Sequence, residues 1–155
     1  MKSTEDKSSL LPFASSIFKN LKTLTTSSYT RQGEEFAHYS YRTHFSIKQD
    51  IRLLHSFYEL EKKLNIFDFV LSRFITILHA GDFINWTKKE TGVTAIGSLF
   101  LFPVTPCAIE FETGLVCLKA GETFSFSAFS PYRVPPTDTC QKGIIWILSE
   151  VPENA

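Results

Sequence analysis

Two periodicities divide the chain near residue 66. Upstream of it, Leu10, Leu11, Phe13, Ile17, Phe18, Leu21 and Leu24 recur at spacings of three and four, which brings their side chains to one face of a helix. Pro12 suits the first turn of that helix, where its missing N–H would have no intrahelical acceptor in any case. Residues 1–9 are polar, aperiodic and mixed in charge, and predict a flexible leader. Residues 23–33 are rich in Ser and Thr and include a glycine, which predicts a loop. Residues 36–47 then alternate, placing Ala37, Tyr39, Tyr41, Thr43, Phe45 and Ile47 on one face of a strand and His38, Ser40, Arg42, His44 and Ser46 on the other. Asp50 suits the N-cap of a second helix reaching Leu64, with Ile51, Leu54, Phe57, Tyr58 and Leu60 or Glu61 on its inner face. Glu59 and Lys63 add a pair four residues apart on its wet side.

Downstream the period shortens to two. Runs of β-branched and aromatic residues cover 70–78, 83–86, 93–104, 108–112, 115–118, 123–129, 132–134 and 143–148. Turn formers stand between them: Ala80-Gly81-Asp82, Thr91-Gly92, Thr113-Gly114, Ala120-Gly121, Ser130-Pro131 and Pro135-Pro136. Strands at this density predict a sandwich, barrel or roll, and their apolar positions place Phe124, Phe126, Ile145 and Ile147 in one core. The expected architecture is α+β, with N-terminal helices packed on an antiparallel jelly roll. Residues 10–155 are expected to form one domain, with a helix and strand part over 10–65 and the roll over 66–150.

Composition narrows the classes. Of 155 residues 43% are hydrophobic, and 15 phenylalanines supply most of the aromatic side chains, so disorder throughout is excluded. Sixteen basic residues balance sixteen acidic ones without a block of either sign, which removes the footprint of a nucleic-acid binder. The longest apolar run, 67–78, is broken by Asp68, Ser72 and Arg73, so no membrane span is expected. Cys107, Cys117 and Cys140 form an odd set with no C-x-x-C pair, as in a cytoplasmic protein with reduced thiols. Cys107 and Cys117 fall on neighbouring strands and are expected to act as small buried hydrophobes.

Four segments carry a family resemblance. Ile77-Leu78-His79-Ala80-Gly81-Asp82-Phe83-Ile84 resembles the strand and Gly-Asp turn that precede the first metal ligands in the iron(II) and 2-oxoglutarate oxygenases of the cupin superfamily, including their aspartyl/asparaginyl β-hydroxylase branch. Lys119-Ala120-Gly121-Glu122-Thr123-Phe124-Ser125-Phe126 is similar to the family's turn into an aromatic-rich strand. Tyr132-Arg133-Val134-Pro135 stands where the family has its distal His-x-Val, and 143–148 resembles the last strand. The resemblance spans about residues 70–149 and implies a cupin-like double-stranded β-helix.

What it implies about the site is a departure. The family holds Fe(II) with two imidazoles and a carboxylate, leaving positions for co-substrate and oxygen. Carried over, those positions fall on or near Thr87 and Lys89, and on Tyr132. Thr and Lys are very poor ligands for Fe(II), so the resemblance implies a roll without the standard metal site. The family also pairs 2-oxoglutarate with a basic residue on the last strand, for which this chain offers Lys142 just before it. An ordinary solvated turn lysine is the other reading of that residue.

The remaining candidate chemistry is sparse. His38, His44, His55 and His79 form no H-x-H, H-x-D or H-x-x-x-H arrangement. A displaced site joining His79 with His44 or His55 and Asp82 is the metal-binding alternative. There is no G-x-S-x-G, G-x-G-x-x-G or Walker loop. The resemblance implies that Trp86, Thr87, Lys89 and Tyr132, with Lys142, border the roll's mouth and receive a small anionic molecule. Otherwise the roll is filled and the surface meets a protein partner, or a second copy in a homo-oligomer. The expected function is a non-catalytic, oxygenase-like binding or interaction module with no cofactor. The alternative is an Fe(II)- and 2-oxoglutarate-dependent dioxygenase with displaced ligands, and a structural or assembly subunit is the third class.

Overall fold

The computed structural model describes residues 3–20, 27–31, 40–46, 51–84, 86, 97–128, 130–136 and 141–150. In chain order these contain strand β1 (Ser3–Asp6), helix α1 (Leu11–Asn20), strands β2 (Ser27–Arg31) and β3 (Ser40–Ser46), and helix α2 (Ile51–Lys63). The strands of the second half follow: β4 (Val70–Leu78), β5 (Ser98–Pro103), β6 (Cys107–Phe111), β7 (Gly114–Leu118), β8 (Glu122–Ser127), β9 (Tyr132–Arg133) and β10 (Lys142–Ser149). They form a seven-stranded sheet in the order β1-β8-β5-β10-β4-β3-β2 and a three-stranded sheet in the order β7-β6-β9. Every pairing is antiparallel. The chain changes sheets between β5 and β6, between β7 and β8, between β8 and β9, and again between β9 and β10, which winds it into a double-stranded β-helix. The architecture is thus the α+β, cupin-like one.

The large sheet separates two cores. Along β10, Ile145 and Ile147 turn to the helical side, where they meet Ile17 of α1 and Phe57 and Leu60 of α2. Ile144 and Trp146 turn the other way, into the roll, with Leu101 of β5 and Phe124 and Phe126 of β8. A strand buried on both faces must be apolar throughout, and Gly143-Ile144-Ile145-Trp146-Ile147 is. The expectation of one core holding Phe124, Phe126, Ile145 and Ile147 is therefore corrected: the two pairs lie on opposite faces of the sheet.

Both helices follow the predicted periodicity over their described residues, Leu21 and Leu24 lying outside them, and the second ends on a left-handed cap. Asn65 has φ 60°, the N–H of Ile66 donates to the carbonyl of Glu61 at 3.0 Å, and Ile66 is buried beneath the turn. Asp50, the expected N-cap, lies outside the described residues.

Three expectations for the chain path change. The leader is not free over its whole length, because Ser3–Asp6 pairs with β8, with Ser3 opposite Ser125 and Asp6 opposite Glu122. Thr4, Glu5 and Asp6 are exposed, so main-chain hydrogen bonds hold this edge strand and no apolar alternation marks it. The Thr123 hydroxyl also donates to the Glu5 carbonyl at 3.2 Å. The expected loop over 23–33 contains β2, which pairs on one side only, with β3. The expected strand over 83–86 reduces to one bridge between Ile84 and Val134, whose N–H and carbonyl groups bond reciprocally at 3.0 Å. Residues 36–39, 47 and 93–96 of the remaining predicted strands lie outside the described residues.

Candidate functional site: the inner wall of the roll

In a double-stranded β-helix the natural place for chemistry is the space between the two sheets. Here alternation delivers rings into it from several strands. Phe111 of β6 lies 4.9 Å from Phe126 of β8, centroid to centroid. Phe126 lies 5.3 Å from Tyr132 of β9, which in turn lies 5.5 Å from Trp146 of β10. These spacings and their tilted or edge-on angles are those of attractive ring contacts. The one polar group of Trp146 is satisfied internally, its indole N–H donating to the Thr76 hydroxyl at 3.0 Å. Tyr132 is 8% exposed and Trp146 fully buried, so the wall is a packed core.

Of the predicted site residues, Trp86, Tyr132 and Lys142 are among the described ones. Tyr132 is part of the ring stack. Trp86 is not in that cluster; the Arg133 guanidinium lies 5.7 Å from its ring centroid, and Glu110 of β6 fixes Arg133 through two hydrogen bonds of 2.7 and 2.9 Å. Lys142 opens β10 rather than preceding it, opposite Leu78. Thr87 and Lys89 lie outside the described residues.

The alternative ligands have local duties. Asp82 accepts the backbone N–H of His79 at 2.7 Å and donates its own N–H to the His79 carbonyl at 2.9 Å, closing the turn in which Gly81 takes φ 86°. His79 is exposed on that turn. His44 sits on β3 opposite Thr76 of β4 and Ser27 of β2. His38 lies outside the described residues, and His55 is exposed on α2. No group of three or more His, Cys, Asp or Glu among the described residues is placed to hold a metal ion.

A second concavity exists that the sequence reading did not single out. Its volume is about 340 Å³, and it is lined by the start of β6, the end of β7, Val134-Pro135-Pro136 and Lys142. In the sequence Pro135-Pro136 marks a strand break, and Pro135 ends the segment that resembles the distal His-x-Val. Cys107 and Cys117 both border the groove, but Cys117 is exposed rather than buried. Cys107 stands opposite Leu118, and Ala108 opposite Cys117, which sends the two thiols to opposite faces of the hairpin; both are free. Burial pushes the Cys107 thiol up to about 12, against a smaller downward pull from Lys142. Cys140 lies outside the described residues.

Strand order and sheet switching define a double-stranded β-helix of the cupin type. The chain is similar to a prolyl hydroxylase from Trichoplax adhaerens solved with a hypoxia inducible factor peptide fragment, at TM-score 0.69 and 9% identity over 96% of this chain and 83% of that one. It is similar also to a Pseudomonas putida prolyl-4-hydroxylase, at TM-score 0.64 and 11% identity over 97% and 92% of the two chains. A 2OG-Fe(II) oxygenase family oxidoreductase from Burkholderia pseudomallei aligns at TM-score 0.61 and 11% identity over 89% and 79%. No protein-family model and no curated protein sequence matches the chain. The likeness is one of fold.

Whether this roll suits iron is a question of donor chemistry. Fe(II) in an oxygenase site asks for neutral imidazole and carboxylate on the inner wall. The hydrophobic cluster inside the roll includes Tyr132, the residue that the family resemblance sets at the distal-ligand position, whereas Thr87 and Lys89, which it sets at the first ligands, lie outside the described residues. No helix among the described residues is long and apolar enough to cross a membrane.

Proposed function

We propose that the chain is a non-catalytic, oxygenase-like β-roll that serves as a binding module. The observation that carries this reading is Tyr132 of β9, which packs between the rings of Phe126 and Trp146 and which the family resemblance sets at the distal-ligand position. Oxygenase chemistry in such a roll needs open space beside the metal for co-substrate and oxygen, and the contact of Tyr132 with both rings supports an interior occupied by side chains instead.

The test is metal analysis of the full chain purified without added metal, with an assay of 2-oxoglutarate consumption in the presence of Fe(II). The expected result is substoichiometric metal and no turnover above that of free Fe(II). Stoichiometric iron that disappears on His79→Ala would move the protein to the second reading, a dioxygenase whose ligands come from His79, His44 and Asp82. That reading is favoured by the fold shared with 2OG-Fe(II) oxygenases and by the cation that opens β10.

A further inference from the structure

Among the described residues, four strands stand at the edge of a sheet, and three of them carry a charge. β1 contains Glu5 and Asp6, β2 ends on Arg31, and β9 is two residues long and contains Arg133. Charges and shortness are the means by which a sheet keeps its edges from pairing with another chain. The fourth, β7, runs Gly114-Leu115-Val116-Cys117-Leu118, with neither charge nor proline, and its register with β6 has no bulge. Gly114, Leu115 and Cys117 are exposed, Leu115 by 56%.

The register fixes which main-chain groups this edge presents. Phe111 pairs with Gly114 across the turn Glu112-Thr113, and a pair that closes so short a turn exchanges both of its hydrogen bonds. Antiparallel pairs alternate, so Ile109 and Val116 are bonded in the same way, whereas Glu110–Leu115 and Ala108–Cys117 are not. The N–H and carbonyl groups of Leu115 and Cys117 therefore point away from β6, to the open side. Their side chains share the outer face of the sheet, while Val116 and Leu118 turn inward to the core of the roll. Exposed residues of opposite charge flank the strand, Glu112 before it and Lys119 after it.

We infer that β7 is the docking edge for a second copy of this chain, the two β7 strands pairing antiparallel about a two-fold axis at Val116. In that register Leu115 of each copy stands opposite Cys117 of the other, and every outward N–H and carbonyl of these two residues finds a partner. The neighbouring registers would set Cys117 against the turn residue Thr113, or Leu115 against Lys119. Antiparallel pairing also brings the Lys119 end of each strand to the Glu112 end of the other, whereas parallel pairing would set like ends together. Asp6 of β1, held mainly by the Ser8 N–H, is a further neighbour of Lys119, so the end charges fix the direction of pairing more than its strength. Sixteen basic and sixteen acidic residues leave no net charge to hold two copies apart. The inference goes beyond the binding-module reading and holds for either reading of function.

Sedimentation velocity of the full chain in reducing buffer tests this, from about 1 µM to about 1 mM, the range in which a small interface associates. A reversible monomer–dimer equilibrium is expected. Amide hydrogen exchange locates it: the amides of Leu115 and Cys117 should slow about tenfold once dimer outnumbers monomer by about ten to one, while that of Val116, bonded to β6, is protected at both ends of the range. Leu115→Pro removes an outward N–H and no bond to β6, so it should abolish the dimer and leave a folded monomer. Should that variant fail to fold, Leu115→Lys, which puts a charge on the pairing edge, should weaken association at least about tenfold. A monomer at every concentration, a dimer that reductant dissolves, concentration-dependent protection confined to other strands, or an undiminished dimer in a folded Leu115→Pro or Leu115→Lys protein overturns the inference.

Discussion

Glu61 belongs to the inward stripe of α2 with Phe57 and Leu60 and has no exposed surface. A carboxylate so placed pays heavily for lost hydration unless it is paired. Arg73 of β4 meets it with both ends of the guanidinium, Nε to Oε2 and one terminal nitrogen to Oε1 at 2.7 Å, and the Tyr58 ring lies 5.0 Å beneath the guanidinium carbon. Burial raises the Glu61 pKa above its ordinary value; the hydrogen bonds and charge of Arg73 pull it back without restoring it. The folded state therefore binds a proton that the unfolded state has released, and this group's contribution to stability falls as pH rises from the ordinary carboxylate value through the raised one. Arg73→Met should cost about 3–5 kcal/mol at neutral pH, because the charge stays buried while its partner is gone. The deficit should shrink in mildly acid buffer as the carboxyl takes up its proton. Urea unfolding at the two pH values measures it, and equal deficits would show that Glu61 is neutral throughout.

At the scale of elements, the turns and edges are held by different means. Gly81 and Gly121 both occupy the left-handed region, at φ 86° and 80°. A Cβ on Gly81 would meet nothing within 4 Å, whereas one on Gly121 would come within 2.6 Å of Ser8 Cα. The difference arises because β1 and the start of α1 are drawn against the β7–β8 turn, the Lys7 N–H donating to the Gly121 carbonyl at 2.8 Å. Gly81→Ala should then cost only the backbone penalty, about 1–3 kcal/mol. Gly121→Ala should cost more, and should also raise hydrogen exchange along Ser3–Asp6 as that strand is pushed off β8. Equal costs in thermal or chemical unfolding would mean that the N-terminal strand is not docked as described.

For the whole molecule, the decisive feature is that one sheet serves two cores which, among the described residues, share no side chain. Leu60 lies on the helical side and Ile109 in the roll. Leu60→Ala should cost about 2–5 kcal/mol and Ile109→Val about 0.5–1.5 kcal/mol. The double variant should match their sum to within about 0.5 kcal/mol, as for sites without common partners. A coupling well beyond that, read from denaturant unfolding of all four proteins, would show that the sheet transmits strain between its faces.

Much of this was written in local pattern. The period of three and four marked α1 and α2, runs of β-branched and aromatic residues marked β4 to β8 and β10 to within a few residues, and Gly81, Gly114 and Gly121 stand at positive φ in turns read from the chain alone. These are properties of a segment and its neighbours in sequence, so the sequence can carry them. The edge strands β1 and β2 were not legible, because a polar strand paired on one side by main-chain hydrogen bonds leaves no alternation to find. Nor was the sidedness of β10, whose unbroken apolar run is the same whichever face each residue takes. At the candidate site, the sequence placed Tyr132 where a ligand is missing, but only the meeting of β8, β9 and β10 turned it into a plug between Phe126 and Trp146. The groove follows the same rule: Pro106, Leu118, Pro135 and Lys142 are ordinary strand-end residues until long-range pairing brings those ends together. Local periodicity determined which segments are helix and which are strand; the antiparallel register between distant strands decided what faces what, because burial and charge act between neighbours in space.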